Sequence, residues 1–174
     1  VGWGTRLAAW EMIRTGTTTF ADMYFYEDQV AEVAKEAGLR GFCAATVMDK
    51  PVPGLKDADE GLRAAEAFLK KWSGDPLIVP ALGPHAAYTV GPETLLRVKA
   101  LADRYRAPIM IHAAESQSEM EMVKRQYGTT TVAHLDAIGD VDVIVAPASR
   151  SAAPRIDETD VGGGPNAEEL VVAV

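Results

Sequence analysis

A chain of 174 residues, 48% hydrophobic and 24% charged, has the composition of one ordinary globular domain. Its formal net charge of −8 argues against a nucleic-acid or anionic-membrane partner, and no stretch is long and apolar enough to span a bilayer. A single cysteine, Cys43, excludes an internal disulfide framework and suits a reducing, cytoplasmic compartment.

Helix and strand patterns then alternate along the chain. Leu7, Trp10, Glu11, Ile13 and Arg14 carry a helical period that stops at Gly16, a natural C-terminal cap. Thr17 to Met23 is rich in β-branched residues and reads as a strand. Val30, Val33, Ala34 and Ala37 make a helix that Gly38 closes, and Arg40 to Thr46 is the next strand. Cys43 lies in the apolar run of that strand, as a small core residue rather than a nucleophile. After the loop Pro51-Val52-Pro53-Gly54, Asp57 can cap a helix running to about Trp72. Strand Leu77 to Leu82 leads into Gly83-Pro84-His85. Pro92 then opens a helix carrying Leu95, Leu96, Val98, Leu101 and Ala102. The run Ile109-Met110-Ile111 follows Pro108 and ends at His112, with Glu115 three positions on; it reads as a strand buried on both faces. Ser116 or Ser118 can cap a helix containing Met120, Met122 and Val123. Thr131 to Ile138 is a shorter helix before Gly139, and Val141 to Ala146 is the last strand candidate.

Five strands separated by helices predict a parallel sheet with right-handed crossovers. Either an open doubly wound sheet or part of a (β/α)8 barrel satisfies the pattern. No Gly-rich phosphate loop follows the first strand, and a full barrel of about 250 residues is too long for this chain. Periodicity does not choose between the two. His85 and His112 both fall just past the ends of consecutive strands, where parallel α/β folds place their chemistry.

The motifs do choose. Gly16-Thr17-Thr18-Thr19-Phe20-Ala21-Asp22-Met23, Gly83-Pro84-His85-Ala86-Ala87-Tyr88-Thr89-Val90 and His112-Ala113-Ala114-Glu115 occur in that order at strand ends. Together they resemble the metal-dependent amidohydrolase superfamily, in its branch of thiomethyladenosine and S-adenosylhomocysteine deaminases and triazine chlorohydrolases. Tyr127-Gly128 and His134-Leu135-Asp136-Ala137-Ile138-Gly139 fit the segment that follows, so the resemblance runs from about Thr5 to Gly139.

The resemblance implies a partial (β/α)8 TIM barrel over residues 1–146, covering about strands 2 to 6 of eight, with an irregular, divergent tail over residues 147–174. It implies hydrolysis of a C–N bond, the deamination of a purine-like or triazine-like small molecule by metal-activated water. His112 would bind a divalent metal, Zn²⁺ ahead of Fe²⁺. Glu115 would handle a proton at a ring nitrogen of the substrate, and His85 would contact substrate. Neutral imidazole is a suitable ligand, and a neighbouring carboxyl group can carry a proton to a leaving amine. His134, mid-helix among apolar residues, reads as packing.

Other parts of the family pattern have no counterpart. The first-strand His-x-His pair of metal ligands, the histidine after the sixth strand and the aspartate after the eighth are absent from this sequence. After Ala146 the chain turns to Pro, Ser, Arg and Gly, and Asp157, Glu158 and Asp160 read as a solvated loop. The expectation is a family of deaminases and a chain that, alone, is inactive. The competing readings are a non-catalytic barrel segment without a metal centre and a self-sufficient open-sheet binding module. Five strands of eight also leave an inner face carrying Phe20, Phe42 and Ile111, or their strand neighbours, open to self-association unless the tail segment Glu168 to Val174 covers it.

Overall fold

Each strand of the sheet pairs with the strand that precedes it in the chain. The computed structural model describes residues 1–138 and the backbone of Val143–Val145. Helix α1 (Gly2–Thr15) leads to β1 (Thr19–Tyr24), α2 (Glu27–Ala37), β2 (Arg40–Val47), α3 (Ala58–Trp72), β3 (Ile78–Pro84), α4 (Pro92–Tyr105), β4 (Ile109–Ile111), α5 (Gln117–Tyr127), α6 (Thr131–Asp136) and β5 (Val143–Val145). The five strands lie in the order β1-β2-β3-β4-β5, and all pairs are parallel. A doubly wound sheet reverses its strand order at a switch point, whereas a barrel keeps winding in one direction. The unreversed order is that of a barrel segment.

Local sequence sets the element ends. Gly16 and Gly38 close α1 and α2 at φ 83° and 77°, a backbone region that glycine enters without the cost of a Cβ. Asp57 caps α3 by accepting the Glu60 backbone N–H at 2.8 Å. The α6 cap is Thr130, which accepts from the Ala133 N–H at 3.2 Å. Helix α6 ends at Asp136, with Ala137 as its C-cap, two residues short of the expected Ile138.

The pleat divides the sheet into two faces. Cys43, Ala45 and Val47 of β2, Ile78 and Leu82 of β3 and Ile109 of β4 point outward into the helical layer, against Val30, Ala34, Ala65, Phe68, Trp72, Val98 and Leu101. The alternate residues Ala44, Ala81 and Met110 cluster with Met23 and Phe42 on the inner face, without a helical partner. Phe42 therefore lies inside as expected. Phe20 packs outward against the helices, and Ile111 joins an outer cluster with Leu95, Val123 and Leu135. Their strand neighbours Met23 and Met110 supply the inner face of β1 and β4. Residue order alone leaves that choice between a residue and its strand neighbours open, because a strand's period identifies two alternating sets but does not say which one faces the helices.

Helical periods likewise identify an apolar stripe without naming its cover. Of α1 only Ala9 is buried, while Trp3 is 85% exposed and Leu7, Trp10 and Ile13 are about half exposed. Leu96 in α4 and Met120 and Met122 in α5 are also exposed, off the buried faces of their helices. Cys43 is fully buried, as a core residue should be. The division at residues 146 and 147, the irregular tail, the acidic residues Asp157, Glu158 and Asp160 and the segment Glu168 to Val174 lie outside the described residues. No helix among the described residues is long and apolar enough to cross a membrane.

Candidate functional site

His85 and His112 meet at the carboxyl ends of β3 and β4. The His112 N–H donates to the His85 carbonyl at 2.9 Å, and the His85 N–H donates to the Val47 carbonyl of β2 at 3.1 Å. A parallel bridge between Ala86 and His112 extends this pairing past the named strands. By the pleat, His85 follows Ala81 and Gly83, and His112 follows Met110, so both histidines continue the inner set. Their rings lie edge to face with centroids 5.2 Å apart and planes at 73°. Gly83, two residues before His85, sits in a crowded place. A Cβ there would come within 2.9 Å of the Met23 side chain and 3.1 Å of the Ala44 carbonyl oxygen.

Hydrogen bonding selects a tautomer for His85. The Thr89 hydroxyl donates to the Ala86 carbonyl at 3.1 Å, which leaves its oxygen to accept from His85 Nδ1 at 2.8 Å. We assign the ring proton to Nδ1 on that basis, so Nε2 keeps a lone pair for a donor. Burial holds the His85 pKa below the ordinary histidine value, and His112 lowers it further; Glu115 and Glu119 pull it the other way. Tyr88 packs edge to face on the His85 ring at 5.9 Å. Its hydroxyl is pushed above the usual tyrosine range, first by burial and then by Glu115 and Glu119.

Glu115 stands in the turn between β4 and α5 and is exposed. Its backbone N–H donates to Glu119 Oε2 at 2.7 Å, and the Ala114 N–H donates to Glu119 Oε1 at 3.2 Å. The expected neighbours His85, His112 and Glu115 therefore fall on one rim. Asp22, from the first of the three motifs, does not join them. It sits opposite Cys43, which pairs with Pro80, five residues before His85, and its row of the pleat faces the helices. There it contacts Glu27, and burial raises its pKa. His134 lies apart, buried and stacked on Tyr127 at 3.9 Å with an interplanar angle of 12°, in keeping with a packing role.

Tyr88, Thr89 and Glu119 take part without having been singled out from the sequence. The first two stand inside the Gly83 to Val90 motif. Glu119 is the fourth residue of Ser116-Gln117-Ser118-Glu119, a capping-box pattern that could have drawn attention to it.

The described residues do not complete a metal site. His112 offers an imidazole on the inner face, but no group of three or more histidine, cysteine, aspartate or glutamate side chains among them could hold an ion.

A family model matches this rim and the sheet beneath it: the description "Amidohydrolase family" fits residues 1–153. The chain belongs to the amidohydrolase family. It is similar to a 5-methylthioadenosine/S-adenosylhomocysteine deaminase of Syntrophobacter fumaroxidans, 47% identical over 139 residues, which are 80% of this chain and 32% of the relative. An adenosine deaminase from Xanthomonas campestris, solved with bound zinc, superposes with a TM-score of 0.80 at 37% identity, over 83% of this chain and 33% of that one. An atrazine chlorohydrolase from Arthrobacter aurescens complexed with zinc superposes with a TM-score of 0.72 at 22% identity, covering 88% and 38%, and shares the fold. The chain thus spans about a third of the length of these proteins.

Proposed function

We propose that this amidohydrolase segment belongs to a hydrolase that removes an amino group from a purine-like ring, a nucleoside such as 5′-methylthioadenosine being the leading substrate class. One observation carries the reading: His85 and His112 face each other at the ends of adjacent parallel strands, with Glu115 three residues beyond the second. Relatives named as deaminases, at 47% and 37% identity, support the choice of substrate class.

Each residue has a part in the proposal. His112 is one ligand of a divalent metal, Zn²⁺ ahead of Fe²⁺, with the remaining ligands outside the described residues; zinc in two related structures supports that choice. When bound, such a metal supplies an activated water. Glu115 exchanges a proton with a ring nitrogen of the substrate, for which an exposed carboxylate on the rim is suited. His85, neutral with a free Nε2, accepts a hydrogen bond from a substrate N–H or O–H and is held in that tautomer by Thr89. A cytoplasmic location completes the proposal and rests on the lone unpaired cysteine.

The test is ammonia release from 5′-methylthioadenosine, S-adenosylhomocysteine and adenosine by the full gene product loaded with Zn²⁺. Activity lost in both His112→Ala and Glu115→Gln supports the reading. An active enzyme indifferent to both substitutions overturns it. A second reading, a barrel segment with no catalysis of its own, is favoured for this chain in isolation by the absence of a complete ligand set among the described residues. The 174-residue chain is accordingly expected to release no ammonia by itself.

A further inference from the structure

The turn after β4 carries Glu115 on an unusual backbone. Ala114 sits at φ 54°, a left-handed conformation that an L-residue adopts at a free-energy cost. Something must hold it there, and one side chain does. Glu119 reaches back from the first turn of α5, placing Oε1 on the Ala114 N–H at 3.2 Å and Oε2 on the Glu115 N–H at 2.7 Å. Only 2% of Glu119 is exposed. Its own N–H donates to the N-cap Ser116 at 3.2 Å.

An ordinary capping box needs less than this. There the glutamate returns to the N–H of the cap residue and stops. Helix α3 runs a nearby version, in which Glu60 Oε2 accepts the Lys56 N–H at 2.7 Å, one residue before its cap. In α5 both carboxylate oxygens are engaged, and they hold two residues before the cap rather than one. The second bond falls on the left-handed residue itself. Helix capping alone does not call for it.

The Glu115 side chain is exposed, and among the described residues no hydrogen bond anchors its carboxylate. Its position is therefore inherited from the backbone beneath it. A proton-transferring group displaced by about 1 Å loses much of its effect, so the geometry of this turn bears directly on the chemistry. We propose that Glu119 is a positioning residue for Glu115: its clamp on the Ala114 and Glu115 amides sets the left-handed turn that presents the Glu115 carboxylate to the rim formed by His85 and His112. This rests on the reading of Glu115 as the proton-handling group.

Two measurements test it, one of them independent of activity. The first is amide hydrogen exchange of this chain by NMR, comparing Glu119→Ala with Ser116→Ala, which removes the reciprocal cap of the same helix. The expected result is exchange at Ala114 and Glu115 faster by about tenfold or more in Glu119→Ala, and by less than about threefold in Ser116→Ala. Glu119→Gln, which keeps one carbonyl oxygen, should leave one of the two amides slow, and it carries the comparison if the alanine variant does not fold. The second is steady-state kinetics of the full gene product. There Glu119→Ala should lower kcat by about tenfold or more with KM within about twofold, and Glu119→Gln should recover part of the loss. Equal exchange in the Glu119→Ala and Ser116→Ala chains overturns the clamp. Faster exchange with unchanged kcat overturns its link to Glu115. An unaltered gene product without deaminase activity counts instead against the reading of Glu115, and the exchange comparison still decides whether Glu119 holds the turn.

Discussion

The His112 backbone N–H donates to the His85 carbonyl at 2.9 Å, so the two imidazoles are held side by side by the main chain and not by contact between the rings alone. Such a pair survives substitution of either ring. In His112→Ala the strand ends should stay paired while a metal donor disappears. Since a stable mononuclear site needs about three protein ligands, the dialysed chain should carry well under one equivalent of zinc, and less still after His112→Ala. Metal analysis that returns a full, tightly held equivalent for the unaltered chain would show a ligand set beyond His112.

Glu27 should make the fold sensitive to alkali. It is 4% exposed; Oε2 accepts the Tyr24 N–H at 3.2 Å and Oε1 has no partner among the described residues. Burial, with the Asp22 carboxylate adding to it, pushes its pKa up to about 9. The folded chain therefore keeps a proton that the unfolded chain releases near pH 4.5, and stability falls as pH rises from there toward 9, by about 1.4 kcal/mol per unit at most. Denaturant titrations at pH 6 and pH 9 check this. Glu27→Gln should flatten the difference, and an unaltered difference in that variant would assign the effect to other groups.

His134 should act in the opposite direction. Burial holds its pKa below the usual 6.5, so the folded state prefers the neutral ring stacked on Tyr127. Below pH 6.5 the unfolded chain gains a proton that the folded chain resists, and the stability this residue lends is lost as pH falls. His134→Phe keeps an aromatic ring against Tyr127 and removes the titration. Its melting temperature should drop less between pH 7 and pH 5 than that of the unaltered chain.

Gly83 tests the crowding beneath the site. A methyl group there would meet Met23 at 2.9 Å and the Ala44 carbonyl oxygen at 3.1 Å. Met23 can swing away, but the carbonyl is part of β2 and yields less readily. Gly83→Ala should cost about 1–3 kcal/mol of stability, the usual range for overpacking, and Met23→Ala should recover part of it. Additive losses in the double variant would exclude the contact as the cause.

The uncovered apolar surface should drive association. Trp3, Leu7, Trp10 and Ile13 line one exposed stripe of α1, and Val79 on the inner side of β3 is 49% exposed. Covering about 400 Å² of such surface is worth on the order of 10 kcal/mol, comparable with the stability of a whole domain. Sedimentation of the chain should show self-association that rises with concentration and weakens in Trp3→Lys with Trp10→Lys. A monomer at all concentrations would contradict this.

Much of this architecture can be read from residue order alone. The five strands, the glycine stops after α1 and α2 and the placement of His85 and His112 at strand ends follow from short-range rules, since each depends on a few neighbouring residues. What those rules miss depends on contacts across the fold. Phe20 and Phe42 occupy equivalent-looking places in successive strands, yet they fall on opposite faces because the register of β1 against β2 decides the matter. Asp22 looks like a rim residue in its motif but falls in the row of the pleat that faces the helices. The apolar stripe of α1 has a clear period and remains exposed. The role of Glu119 depends on the left-handed turn at Ala114, which no glycine advertises.

Pairing each strand only with its sequence neighbour also shapes how the fold is reached. Each pairing closes one strand-helix-strand unit, and β2 can dock on β1, and β3 on β2, before any later residue is needed. Loop closure of that kind carries a modest entropic barrier, and rates of folding rise as the sequence distance between partners falls. The sheet can therefore be laid down strand by strand as the chain leaves the ribosome, with the His85 and His112 ends joined only when β4 arrives. Stalled growth at that stage leaves β3 as a bare edge, open to pairing with a strand of another chain.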